Sequence, residues 1–82
     1  MDGMAVIKKQ VELTFDAEAD AGYIYLDVAS GRARASVART RFCNIDMVDA
    51  AINVDFDEDG HVVGIEFLGA SQLFAERVRS NN

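Results

Sequence analysis

Residues 52–68 constrain this chain more than any other stretch. Ile52-Asn53-Val54-Asp55-Phe56-Asp57 alternates apolar and polar residues without a fault, which is the period of a strand with one buried face. Asp57-Glu58-Asp59-Gly60 is turn chemistry, and Val62-Val63-Gly64-Ile65-Glu66-Phe67-Leu68 resumes in strand-forming residues. Two such runs about an Asp-Gly turn predict a β-hairpin. A lone hairpin is not stable in water, so the rest of the chain must supply further strands or a packed helix.

It offers both. Val11-Glu12-Leu13-Thr14-Phe15-Asp16 alternates, and residues 16–22 are small and acidic, a turn in which Asp16 can cap a brief helical turn. Tyr23-Ile24-Tyr25-Leu26-Asp27-Val28 predicts a strand with Ile24, Leu26 and Val28 on one face and both tyrosines on the other, broken by Ala29-Ser30-Gly31. Residues 36–43 read as a third strand, with Val37, Arg39 and Arg41 on one side, and 44–49 as a turn. After Gly69, the residues Ala70, Leu73, Phe74 and Val78 recur at helical spacing, with Ser71 near the start and Arg77 and Arg79 near the end. The expected fold is α+β: a mostly antiparallel, meander-like sheet of about five strands, with one C-terminal helix packed on one face. Residues 1–82 form one domain, with 1–9 as a disordered lead-in, 10–68 as sheet and 70–79 as helix. One helix covers only part of one face. Tyr23 and Tyr25, with Val62 and Leu68, are expected on the other, and a second copy would cover both that face and the sheet edges.

Eighty-two residues lie near the lower limit for a self-sufficient core, where disulfides, a metal or oligomerisation usually supplement it. Cys43 is the only cysteine, so no internal disulfide forms and self-association is favoured. A lone thiol suits the cytoplasm. The apolar opening at residues 4–7 stops at Lys8 and Lys9, too short for a signal-peptide core or a membrane span, so a soluble cytoplasmic protein is expected. The net charge of −6 opposes binding to nucleic acid or anionic lipid. Arg32, Arg34, Arg39 and Arg41 could grip phosphates, but without interleaved aromatics or lysines the plainer expectation is that Arg39 and Arg41 pair across the sheet with acids such as Glu12 or Asp55.

Residues 55–66 also satisfy the EF-hand calcium-loop pattern. Asp55, Asp57 and Asp59 fall at the first three ligand positions, Gly60 at the sharp turn and Glu66 at the final bidentate position. The flanks contradict it, because an EF-hand needs a helix on each side and both flanks here alternate with period two. In a hairpin Asp55, Asp57 and Asn53 share a solvent-facing side, and Glu66 lies about 20 Å along the exit strand at ~3.3 Å per residue, out of reach of the turn. Divalent-metal binding at these acids, or at the acidic turns of residues 16–20 and 57–59, stays an alternative. His61 and Cys43 are single, which excludes a His/Cys metal cluster, and His61 beside a turn reads as a surface residue. Fourteen carboxylates place some acids together on any sheet surface without implying acid–base work. No catalytic residue and no cofactor is expected.

Three stretches together resemble a known family of small prokaryotic proteins, the domain of unknown function 2283. They are Phe15-Asp16-Ala17-Glu18-Ala19-Asp20-Ala21-Gly22-Tyr23-Ile24-Tyr25-Leu26, then Val54-Asp55-Phe56-Asp57-Glu58-Asp59-Gly60, then Val63-Gly64-Ile65-Glu66-Phe67-Leu68 followed by Ala70-Ser71. The likeness covers roughly residues 11–74. Gly22 stands where a leucine is usual, and residues 39–49 form a longer middle segment. The resemblance implies a compact sheet-plus-helix fold, no assigned activity and no transferable site residues. The functional expectation is a non-enzymatic protein-interaction module, homodimeric and with an unidentified protein partner, an antitoxin-like shield for a basic toxin being one version.

Overall fold

The structure is a computed structural model that describes residues 5–26 and 37–80. Five strands, β1 (Glu12–Asp16), β2 (Ala21–Tyr25), β3 (Arg39–Ile45), β4 (Ala50–Phe56) and β5 (Val62–Leu68), form one sheet in the order β1-β2-β5-β4-β3. Every neighbouring pair is antiparallel. β3, β4 and β5 run as a meander, and the β1–β2 hairpin joins it along β5. This puts the strand richest in apolar residues at the centre, as a strand buried on both sides requires.

The hairpin expected from residues 52–68 is present. Asp57 N–H donates to the His61 carbonyl (2.9 Å) to close the loop, and Gly60 adopts a φ of 85°, a left-handed conformation that a glycine takes without strain. A one-residue shift beside Asp55 and Phe56 sets Val62 opposite Phe56 and takes it out of the register that Gly64, Glu66 and Leu68 keep. Two strand boundaries move. β2 starts at Ala21 because Ala21 and Gly22 pair with Asp16 and Phe15. β3 runs on to Ile45 because Asn44 and Ile45 pair with Ala51 and Ala50, leaving 46–49 as the turn. Val28, the break at 29–31, the start of the third strand at Ser36, and Arg32 and Arg34 lie outside the described residues.

The expected single helix over 70–79 is two short ones, α1 (Ala70–Leu73) and α2 (Glu76–Arg79). Phe74 and Ala75 are extended between them. The cause is tertiary. The Phe74 ring packs edge-on against Phe15 (5.3 Å between centroids) and Phe67 (4.9 Å), and a single helical turn is too weakly cooperative to resist that pull. Arg79 Nε–H donates to the Phe74 carbonyl at 3.0 Å, satisfying an acceptor that the break frees.

Phe15 and Phe67 identify the face that the helices cover. Cross-strand partners share a face, so Leu13, Ile24, Ile65, Val54 and Arg41 form one row on that side, and Phe15, Gly22, Phe67, Ile52 and Cys43 the next. The opposite side carries Tyr25, Gly64, Asp55 and Thr40 in one row and Tyr23, Glu66, Asn53 and Phe42 in the next. The core is thin. Tyr23, Ala51, Val63 and Ala70 are the buried hydrophobic residues among those described, and no large side chain among them is fully buried.

Candidate functional site

The tyrosine face is not the bare surface that alternation suggests. Gly64 leaves a gap at its centre, and the Tyr23 ring lies in that gap: a Cβ on Gly64 would stand 2.5 Å from two atoms of the ring. The ring therefore crosses β5 diagonally, and its hydroxyl donates to Asp55 Oδ2 on β4 at 2.5 Å, a short hydrogen bond. Thr40 Oγ1–H on β3 donates to the other oxygen, Oδ1, at 2.6 Å. Tyr25 stacks beside Tyr23 with ring centroids 4.5 Å apart, and Asn53 Nδ2–H donates to Glu66 Oε1 at 2.9 Å. A hydrogen-bonded polar chain thus ties β2 to β3 across the sheet.

This arrangement decides where the calcium-loop residues go. Asp55, expected to face solvent, is 7 % exposed and held by Tyr23 and Thr40. Glu66 is engaged by Asn53 on the strand face, while Asp57 and Asp59 lie in the turn. The fold does not bring the four acids into one shell. The described group that could meet a cation is instead Asp57, Asp59 and His61, whose ligand atoms lie within 4.8 Å of one another. Asp57 is already occupied with the loop. Its Oδ1 accepts the Asp59 and His61 N–H groups at 3.0 and 2.9 Å, and those backbone bonds hold its pKa below the ordinary carboxylate value.

The acidic turn at 16–20 is structural as well. Asp16 Oδ1 accepts the N–H groups of Glu18 (3.0 Å) and Ala19 (3.3 Å), the local capping expected of it. Asp20 reaches the far end of the chain. Its Oδ1 accepts the Ser71 N–H at 2.8 Å, its Oδ2 the Ser71 hydroxyl at 2.7 Å, and its carbonyl accepts from Gly69 and Ala70. These bonds to Ser71 lower the Asp20 pKa, with a further contribution from the Arg79 charge. The β1–β2 turn is thereby latched to the start of α1.

Arg39 and Arg41 do not pair with Asp55 or Glu12. They lie opposite Phe56 and Val54, on the helix side of the sheet, and both are exposed without an ion-pair partner among the described residues. Cross-strand register, which a single strand cannot reveal, decides this. His61 sits in the turn beyond Phe56 and Cys43 opposite Ile52, so about 13 Å of strand separates them at ~3.3 Å per residue.

Two surface features remain. On the helix side, Leu13 is 38 % exposed and Ile24, Ile65 and Val54 beside it are only half-buried, while the Phe74 ring between α1 and α2 packs on the neighbouring row at Phe15 and Phe67. On the tyrosine side, at the sheet end that holds the turns 17–20 and 46–49, an open groove of about 490 Å³ runs over Ala51 and Leu68, between Phe42 and Asn44 on one wall and Asp20 and Asp49 at its rim. No described helix is long and apolar enough to cross a membrane.

The chain matches the family described as "Protein of unknown function (DUF2283)" over residues 12–71. No curated protein and no solved structure matches it. The chain belongs to that family. The matched span takes in both partners of the Asp20–Ser71 latch and the whole Tyr23–Asp55–Thr40 chain.

Proposed function

We propose that this member of a family of unknown function is a non-enzymatic, cytoplasmic protein-interaction module that self-associates as a homodimer through the helix side of its sheet. One observation carries the reading: the row Leu13, Ile24, Ile65 and Val54 is apolar from β1 to β4, yet the chain's own helices leave it half open. A sheet face of this kind is stable when another layer lies about 10 Å above it. The thin core makes the same demand, because a chain of this length in which no large side chain among the described residues is fully buried gains much of its stability from whatever covers that face.

Arg39 and Arg41 suit the margin of such an interface. On the edge strand β3 they stand opposite Phe56 and Val54 and are exposed, where long stems can cover apolar surface while charged heads stay in water. The exposed Cys43 fits a reducing compartment. Size-exclusion chromatography with light scattering at micromolar concentration tests the reading. The wild-type chain is expected at twice its 9.0 kDa mass, and Ile65→Lys, which sets a charge in the middle of the row, at the monomer mass. A wild-type monomer at every concentration would refute it.

A further inference from the structure

We infer that the acid-rimmed groove on the tyrosine side receives residues 5–11 of a second copy of this chain. The inference rests on the self-association proposed above for its second copy, but it uses the opposite face of the sheet.

The segment and the groove are independent observations that fit each other. Residues 5–11 precede β1 in no strand or helix, and all are exposed, with Val6 at 67 % and Ile7 at 80 %. Two β-branched side chains in water, followed by Lys8 and Lys9, form an exposed apolar-and-basic segment. These are the only lysines of a chain whose net charge is −6. The groove is its counterpart. Ala51 and Leu68 make a low floor on which a β-branched side chain can rest, and Phe42, 57 % exposed, makes an apolar wall. The two turns that flank the groove carry Glu18, Asp20, Asp46 and Asp49. Among the described basic residues, Arg79 acts on Asp20 at this rim. Opposite charge at the rim steers a segment and fixes its register, while the apolar contacts hold it.

Reach identifies the donor as a second copy. The segment leaves the sheet at Glu12, at the opposite end of β1 from the groove, and the groove floor lies on β4 and β5. Four residue rises of ~3.3 Å with two or three strand spacings of ~4.8 Å put the β5 and β4 parts of the floor roughly 16 and 20 Å away. Six extended residues span about 20 Å, so the chain's own Val6 would reach β4 only at full stretch, and its Lys8 and Lys9, four and three residues from Glu12, would fall well short of Asp46 and Asp49. A segment from a second copy that approaches the tyrosine side is not held to that distance.

Charge exchange in the full-length chain tests this. Lys8→Glu with Lys9→Glu makes an acidic segment, and Asp46→Lys with Asp49→Lys makes a basic rim. All four side chains are exposed, so each variant is expected to keep the wild-type circular dichroism spectrum. Measured by sedimentation at low salt, each double variant alone should self-associate at least roughly tenfold more weakly than wild type, and an equimolar mixture of the two should recover wild-type affinity. Only a contact between chains can be rescued by mixing. Variants that each dimerise as tightly as wild type would overturn the inference and leave the apolar-face dimer standing. Weakening without rescue would overturn it too, because the two charge sets would then not meet.

Discussion

Replacing Gly64 by alanine should destabilise this protein, against the usual sign of the change. In a strand, glycine to alanine removes backbone freedom from the unfolded chain and normally gains about 0.5–1 kcal/mol. Here the new methyl would stand 2.5 Å from the Tyr23 ring, so the ring must leave its place over β5. With it goes the Tyr23–Asp55 hydrogen bond, and a carboxylate only 7 % exposed keeps Thr40 alone as its side-chain donor among the described residues. Loss of a donor to a buried charged group costs about 1.5–3 kcal/mol. Overpacking adds about 1–3 kcal/mol. A net loss of roughly 3 kcal/mol is expected, and about 1.5–3 kcal/mol for Tyr23→Phe, which removes the donor but keeps the ring. Urea denaturation at fixed protomer concentration measures both, since self-association makes stability concentration-dependent. The decisive arm is Gly64→Ala in a Tyr23→Ala background, where no ring is left to displace and the substitution should be neutral or mildly stabilising. If Gly64→Ala costs as much there as in the wild type, coupling is absent and the packing argument fails.

Asp20 and Asp57 have lowered pKa values, so each favours the folded state above the ordinary carboxylate pKa of 3.8, and that contribution disappears as pH falls through the lowered value. Thermal melts from pH 6 to pH 2 should therefore lose stability below about pH 4, and Ser71→Ala, which removes one bond to Asp20, should make the loss shallower; an unchanged profile would count against the latch. Phe74→Ala should cost about 3 kcal/mol and free α2 from the sheet, seen as early amide exchange at residues 76–79, whereas exchange equal to wild type would show that the ring does not hold the helices. Calorimetric titration with calcium to 1 mM should give no saturable heat, because Asp55 and Glu66 are engaged on the strand face; a saturable submillimolar site would show that the hairpin turn gathers a cation after all.

Period-two alternation made the hairpin and the sheet legible, since a half-buried strand writes its two faces into the sequence residue by residue. Asp55 shows the limit of that rule. It occupies a polar position in a faultless alternation, yet it is buried, because a tyrosine two strands away leans across a glycine to reach it. The glycine was the available signal: an isolated Gly64 inside a strand marks a place where something approaches the backbone closely. Phe74 fits helical spacing and still breaks the helix, because its ring partners, Phe15 and Phe67, are brought together only by tertiary pairing. Alternation puts Arg39 and Arg41 on one side of their strand, but which side of the sheet that is depends on their register with β4. Lys8 and Lys9 served only to end an apolar run, and their fit to a groove needs both turns to be folded at the same end of the sheet.

The open apolar row is the claim on which the rest depends, and an isotope-filtered NOE experiment reads it directly. In a mixed dimer of methyl-labelled and unlabelled chains, the Ile24, Ile65 and Val54 methyls should show cross-peaks to side chains of the other copy. A dimer in which those methyls show no such cross-peaks and are bleached by a water-soluble relaxation agent would place the interface elsewhere and contradict the account.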